Sequence, residues 1–408
     1  MKENVREYVE ERLQGGVDIS KSVELLRRYA YIEQSCVRAL AGWFLKIPDW
    51  EMKIELGYHL YAHAERLNEL GTRLEELRGG RHRDANIEPA LARVGEELIQ
   101  APDERSFLSG LAWMLRNLAD VYREHAEAGD SSANALEIRI LYRLLSDVER
   151  ELESVKKLLL LQSSPSEEEN RWTTYLQELL QEAGCIGGLG TRIGRKALRP
   201  EKALFEWPAH MIFDDRIQHD DLGSYESKLS LPLRERSIGE FQVYFNEFYA
   251  AALLATIIFD SWKLDAPRQY FMDIAHHFWD EVRHAQFGAI RLRELGVEPS
   301  KVNMVLFEQS QGMPLLHRLC YLTLGLEVYF MPRKSVRVRY YEQQGDPRSQ
   351  LFADVDWSDE SNHVRYGKHW VDYLLKDDAR SIEDVQEEIT KYMETYANNL
   401  PDGQKVPW

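Results

Sequence analysis

The sequence predicts an all-α protein made of two helical bundles in series. Two observations carry this. Apolar residues recur at helical spacing along most of the 408 residues, and the breaks between these stretches are short and fall at Gly or Pro. A composition of 44% hydrophobic and 29% charged residues gives apolar surface enough for sizeable cores and is too apolar for a disordered chain.

The first helix is expected over 19–46, where Val23, Leu25, Leu26, Tyr29, Ile32, Cys36, Val37 and Leu40 share a face. Ser20 or Ser22 would cap its start, and Pro48 stops it. A second helix over 50–78 ends in Gly79-Gly80, a third over 103–128 closes at Gly129, and a fourth runs over 131–161. Short connections favour antiparallel neighbours, so residues 1–161 read as a helical bundle. Residues 162–237 read as a loop-rich connection, with a helix near 171–183 and the glycine-rich stretch GCIGGLGTRIG. No strand precedes that stretch, so it reads as a flexible link and not as a nucleotide loop. Helical spacing returns at Ile238 and gives helices over 238–263, 267–295, 313–343 and 348–375, with Pro332 predicting a kink or break. Residues 238–376 are thus a second bundle, and 377–408 hold a short acidic helix (382–398) and a polar tail.

With 51 Lys+Arg against 68 Asp+Glu, the formal charge is −17. Such a surface repels phosphate backbones and anionic lipid, so neither nucleic acid nor membrane is expected as a partner. Cys36, Cys185 and Cys320 stand in no paired spacing, which excludes a disulfide framework and a CxxC zinc site and suits a reducing compartment. The opening MKENVREYVEERL has no apolar signal region, and the most apolar run, residues 248–259, is too short to cross a bilayer. A cytoplasmic location is the expectation.

Two segments of the second bundle share the pattern D-E-x-x-H: Asp280-Glu281-Val282-Arg283-His284 and Asp359-Glu360-Ser361-Asn362-His363. Residues three apart face one side of a helix, so each Glu and His can reach one metal. Among the 12 histidines only these two follow a Glu by three, and an Asp precedes both of those Glu residues. The helices before each motif add Glu247, 34 residues ahead of Glu281, and Glu327, 33 residues ahead of Glu360. Both lie in apolar surroundings, where an unpaired carboxylate is costly. Four carboxylates balance two divalent cations. The mixture of oxygen and imidazole suits iron or manganese, with coordination positions left open, and is unlike the shell of a structural zinc.

This arrangement resembles the ferritin-like di-iron carboxylate superfamily, which includes the ribonucleotide reductase small subunit, desaturases, aldehyde-deformylating oxygenases and arylamine N-oxygenases. The resemblance covers about residues 240–375 and rests on Glu247, Glu281, His284, Glu327, Glu360 and His363, all in family order. It implies a ferritin-like four-helix bundle in which these six residues hold the metals and carry catalysis, with Glu281 and Glu327 as bridging carboxylates. It also implies that Asp280 and Asp359 each bond the ring N–H of the opposite motif's histidine. The implied cofactors are two iron ions, with a manganese–iron pair allowed, and O2 as co-substrate. The implied partners are a small-molecule substrate and a ferredoxin- or flavin-type electron donor, unless the substrate itself supplies electrons; a homodimer is compatible with the chain.

Other residues read more plainly. His277 and Asp356, one turn before Glu281 and Glu360, are expected in supporting or surface positions and not as ligands. Tyr244, Phe248, Tyr249, Phe278, Trp279 and Phe287 read as core before substrate pocket, and Tyr366 as a packing residue. The first bundle reads as a worn copy of the second: aligning HLYAHAERLNELGTRLEEL from His59 with HHFWDEVRHAQFGAIRLREL from His277 sets His63 at the place of Glu281 and Arg66 at that of His284. Glu33 then falls on Glu247. A mononuclear site from Glu33, His59 and His63 is outweighed by leftover polar groups bonded to their neighbours.

The expected function is a non-haem di-iron, O2-activating oxygenase or oxidase that hydroxylates, N-oxygenates, desaturates or cleaves a small organic substrate in a biosynthetic pathway. The alternatives are a ferroxidase or metal store, disfavoured by the second bundle and long crossover, and a helical scaffold with a vestigial site, disfavoured by six intact ligand positions.

Overall fold

The computed structural model describes residues 16–81, 87–162, 164–200 and 204–398. The opening segment and the polar tail discussed above lie outside them. The protein is 73% helix. Among the described residues the only strands are β1 (Gln218–His219) and β2 (Lys301–Val302), paired in parallel. Helix at about twice the usual share, with so little strand, makes this an all-α protein.

The chain divides into two compact units. The first takes the described residues up to Trp43 together with Ala62–Glu206, and the second takes Phe44–Tyr61 and the described residues from Trp207 onward. The boundary at Glu206 falls inside the expected 162–237 connection, and residues 44–61 group with the second unit.

The first unit is built from α1 (Ile19–Lys46), α2 (Trp50–Glu76), α3 (Pro89–Leu98), α4 (Glu104–Ala128), α5 (Ala135–Leu161) and α6 (Glu167–Glu182), with α1 and α2 also lending residues to the second. Asp18, not a serine, caps α1 by accepting from Lys21 N at 2.9 Å. Helix α3 was not expected. Its 10 residues are too few to show periodicity, yet Pro89 suits a first turn and Leu91, Val94 and Leu98 are buried. The glycine-rich stretch is tied down, contrary to the flexible link expected. The guanidinium of Arg28 donates to the carbonyls of Ile186 (2.5 Å), Cys185 (3.1 Å) and Ala183 (3.2 Å). Gly188, at φ +76°, leaves room for that guanidinium: a Cβ there would lie 3.0 Å from Arg28 Cζ.

The second unit holds α7 (Tyr225–Lys228), α8 (Leu233–Phe245), α9 (Phe248–Asp260), α10 (Arg268–Glu294), α11 (Val305–Glu308), α12 (Leu315–Cys320), a π-helical segment (Tyr321–Leu326), α13 (Glu327–Gln344), α14 (Pro347–Leu375) and α15 (Ile382–Asn398). Helix α10 packs against α8, α9 and α14, and α13 runs against α14. Phe241, Phe245, Leu253, Phe278, Val282 and Trp370 are buried in the core between them.

Two expected helices are interrupted. The helix expected over 238–263 breaks at Asn246-Glu247, where the Asn246 side chain turns away to accept from Asn303 N at 2.5 Å. The helix expected over 313–343 contains the π-helical segment, while α13 runs on through Pro332, so the break expected at that proline lies just upstream. Counted as one stretch, Leu233–Lys263 is long and apolar enough to cross a membrane, contrary to the length argument from 248–259 alone. Yet 94% of its most apolar window is buried inside the fold, as befits a core element.

Candidate metal centre

Eight buried side chains from α9, α10, α13 and α14 assemble into two groups. His277, Glu281, Glu327 and His363 form one; Glu247, His284, Asp356 and Glu360 form the other. In each group the ligand-type atoms all lie within 4.8 Å of one another. All six sequence-predicted residues are among the eight. His277 and Asp356, expected in supporting positions, stand among the ligand-type groups instead. Their signal was in the sequence: His277, Glu281, His284 and Asp356, Glu360, His363 repeat one spacing, four then three, which lines three side chains along one helix face.

Helix geometry decides how the two lone glutamates arrive. Glu281 and Glu360 sit within regular α-helix, whereas Glu247 lies at the break between α8 and α9, and Glu327 follows the π-helical segment. A widened or broken turn shifts the residues after it around the helix axis, which lets a residue between apolar neighbours face the centre of the bundle. Two glycines permit the close approach this needs. A Cβ on Gly288 would come within 2.6 Å of Phe241 O, and one on Gly367 would collide with Thr323 in the π-helical segment.

Within the first group, His277 Nε2 is 2.7 Å from Glu327 Oε1 and 3.4 Å from Glu281 Oε1, and His363 Nδ1 is 3.3 Å from Glu281 Oε1. In the second, His284 Nδ1 is 3.2 Å from Glu247 Oε2 and 3.7 Å from Asp356 Oδ1. Glu281 straddles the groups, since its Oε2 lies 3.8 Å from His284 Nδ1. Glu327, expected to bridge alongside Glu281, meets the imidazoles of His277 and His363 in the first group.

The aspartates of the two motifs are exchanged. His284 Nε2 is 3.2 Å from Asp359 Oδ2, and His363 Nε2 is 3.1 Å from Asp280 Oδ2. Each aspartate so fixes the ring of the other motif's histidine and turns Nδ1 inward. Arg283 contacts Asp280 and lies 3.3 Å from Asp359, balancing both.

Whether these residues fit metal ions turns on the atoms left over. Both carboxylate oxygens of Glu327, Oε2 of Glu247, and Nδ1 of His284 and His363 are buried and, although some lie close together, none is in a well-aligned hydrogen bond. Buried polar atoms are rarely orphaned, and here they converge in two places, as ligand atoms would. Protonation tells the same story. Burial pushes the Glu360 carboxyl up to about 8, reinforced by Glu281 and Glu327 and opposed by Lys334. Burial opposes charge on His284 and His363 too, but Asp359 and Asp280 lead the carboxylates that raise both. Without ions this cluster holds protons against its own charge, and divalent cations would replace them. The donors fit.

One cation is already present. Lys334 Nζ donates to Asp356 Oδ1 at 2.7 Å and Glu360 Oε1 at 2.9 Å, and lies 3.9 Å from Glu247 Oε1. Tyr244 donates to Asp356 at 2.9 Å and accepts from Arg337 at 3.0 Å. The two groups are therefore unequal: the second holds the ammonium of Lys334 against two of its carboxylates, and that ammonium bonds to no residue of the first.

A cavity of about 410 Å³ reaches Glu247, Glu281, Glu327 and Glu360. Of the aromatics considered in the sequence, only Tyr249 lines it, joined by Tyr225, Tyr329 and Phe330. Phe248 and Phe278 are core, Phe287 stacks on Phe352, and Tyr366 points its hydroxyl to His276 at 3.3 Å.

The first unit contains a related cluster with a different content. Arg66 donates to Glu33 at 2.8 Å and Glu151 at 2.7 Å, His63 contacts Glu33 and lies 3.0 Å from Glu151, and Tyr122 donates to Glu33 at 2.6 Å. Glu33, His63 and Arg66 are thus bonded to one another and to α4 and α5. His59 lies 3.5 Å from Glu55.

Among known proteins, no curated protein and no solved structure matches the chain. Over residues 244–404, which contain all eight residues of the two groups, the chain is similar to a family described as a protein of unknown function (DUF455).

Proposed function

We propose that the second unit is a ferritin-like bundle that holds two iron ions and uses O2 to oxidise a small organic substrate, as a non-haem di-iron oxygenase or oxidase. The observation that carries this is the pair of four-residue groups that meet at Glu281 and His284, with buried nitrogen and oxygen atoms converging in each. His277, Glu281, Glu327 and His363 would hold one ion, and Glu247, His284, Asp356 and Glu360 the other. Such ions supply the one-electron chemistry that lets dioxygen react with organic molecules, which side chains alone do not.

The chain does the rest. Asp280 and Asp359 hold two imidazoles in one ring orientation, so their Nδ1 lone pairs are aimed before any ion arrives. Burial of all eight groups keeps bulk water out and strengthens every charge interaction inside. Lys334 stands beside three acids of the second group and offsets part of their charge until an ion takes its place. The cavity favours an enzyme over a metal store, since storage needs a route for ions but no chamber for an organic body beside the ligands.

The test is an anaerobic Fe(II) titration of the full chain followed by exposure to O2. The expected result is two irons bound per chain and a transient visible absorbance on oxygenation. Accumulation of many irons per chain supports a store, and absence of iron binding supports a scaffold; either ends this reading.

A further inference from the structure

We propose that the cavity beside the two groups selects substrates that carry a carboxylate, with the Lys228 ammonium as its anchor and an apolar body reaching inward toward Glu281 and Glu327. The inference rests on the reading of the second unit as an oxidising metal site and adds the chemical class of the substrate.

The argument is one of charges left unspent. Among the basic residues on the cavity wall, Lys334 is held by Asp356 and Glu360. Arg337 is held by Tyr244 and by Glu240 at 3.4 Å, and Arg333 meets Glu226 at 3.3 Å. Among the acids, four glutamates belong to the two groups. Glu240 accepts from Arg236 and Tyr341, both at 2.9 Å, and exposed Asp221 accepts from Gly223 N at 2.9 Å.

Lys228 alone has no counterion. Its residue is only 6% exposed, and Nζ donates to two carbonyls, Gly223 O at 2.7 Å and Ser224 O at 3.1 Å. No carboxylate lies within ion-pair distance of it among the described residues. An ammonium has three donors, so one remains for a ligand. Burial lowers its pKa, against the more distant pull of Glu240, Asp221 and Glu226.

This ammonium is also built in. Its stem presses on Gly239, where a Cβ would sit 3.1 Å from Lys228 Cδ, and Gly223 adopts φ +68° in the turn that brings its carbonyl to Nζ. The same wall carries Tyr249, Ala250, Leu306, Leu322 and Phe330 and reaches Glu281 and Glu327. Along α13 the wall runs from Glu327 to Arg337, ten residues or about 15 Å of helix. A carboxylate at Lys228 thus leaves the body of the molecule among apolar side chains and its far end at the carboxylates that would hold the ions.

The test uses 4-phenylbutyrate, 4-phenylbutyramide and 4-phenylbutylamine, titrated calorimetrically into the full-length protein, both metal-free and loaded with Zn(II). The acid is expected to bind at least tenfold more tightly than the amide or the amine. Lys228→Met should abolish that preference and Lys228→Arg should keep it, with Zn(II) uptake unchanged in both. The proposal is overturned if the amide or amine binds as well as the acid, if no probe binds either form, or if Lys228→Met retains the preference. A protein that takes up no metal yet prefers the acid refutes the di-metal reading and leaves this one standing.

Discussion

Lys334 is the residue on which the chemistry of the second group turns. An ammonium 2.7 Å from Asp356 and 2.9 Å from Glu360 competes with a divalent ion for the same oxygens. Neighbouring carboxylates raise its pKa well above the ordinary lysine value although burial opposes the charge, so it stays cationic. The two ions should therefore bind unequally, first to the group without a lysine. Lys334→Met should tighten the weaker site by about tenfold or more, roughly 1.4 kcal/mol, and leave the tighter one nearly unchanged. Titration with Mn(II) followed by electron paramagnetic resonance reads both constants; two equal affinities in the unaltered protein would contradict the assignment. The six residues expected from the sequence were legible because Glu and His at helical spacing leave a pattern. Lys334 was not legible, because M-P-R-K-S carries no spacing that separates a buried lysine from an exposed one. Lys228 was hidden for the same reason, in a segment of loops and one short helix.

Helices were read well where they are long and regular, as α4, α10 and α14 show, and poorly where they are interrupted. Periodicity cannot register a one-residue change of helical phase, so the break at Asn246-Glu247 and the π-helical segment at Tyr321–Leu326 were both absorbed into continuous helices. These interruptions bring Glu247 and Glu327 to the centre. Gly288 serves the first of them by letting α10 lie against the backbone of Phe241 and Phe245. Gly288→Ala must push the two helices apart, at a cost of about 1–3 kcal/mol or more because the colliding atoms are backbone. The expected outcome is a lower thermal transition of the metal-free protein together with weaker metal uptake, measured by calorimetry and metal analysis. Full uptake at unchanged stability would show that the approach of α8 to α10 does not position Glu247.

At the scale of the whole molecule, each unit holds a buried cluster of acids, and the two differ in content. In the second, six expected ligand positions carry Glu and His. In the first, Arg66 stands in the register of His284 and joins Glu33 to Glu151, so a guanidinium sits between two buried carboxylates. The sequence singled out Glu33, His63 and Arg66; the partners Glu151 and Tyr122 were not legible, since no pattern in their helices marks them. Removing the guanidinium leaves two buried acids with His63 as their nearby cation, which costs up to about 3–5 kcal/mol. Burial opposes ionisation of Glu33, but Arg66 and His63 outweigh it and hold its pKa below the ordinary value. Its contribution to stability is thus present above the unfolded value, near pH 4.5, and lost as pH falls through the folded one. Arg66→Met should lower the thermal transition of this unit strongly at pH 7 and less toward pH 4, where protonation neutralises the stranded acids. A deficit that does not shrink on acidification would contradict this account of the cluster.

The most direct measurement is an anomalous-scattering map at the iron edge from crystals of the iron-loaded full chain. The account predicts two neighbouring peaks, one among His277, Glu281, Glu327 and His363 and one among Glu247, His284, Asp356 and Glu360, with Lys334 displaced from the second. A map without peaks there, with Lys334 still seated against Asp356 and Glu360, would contradict it.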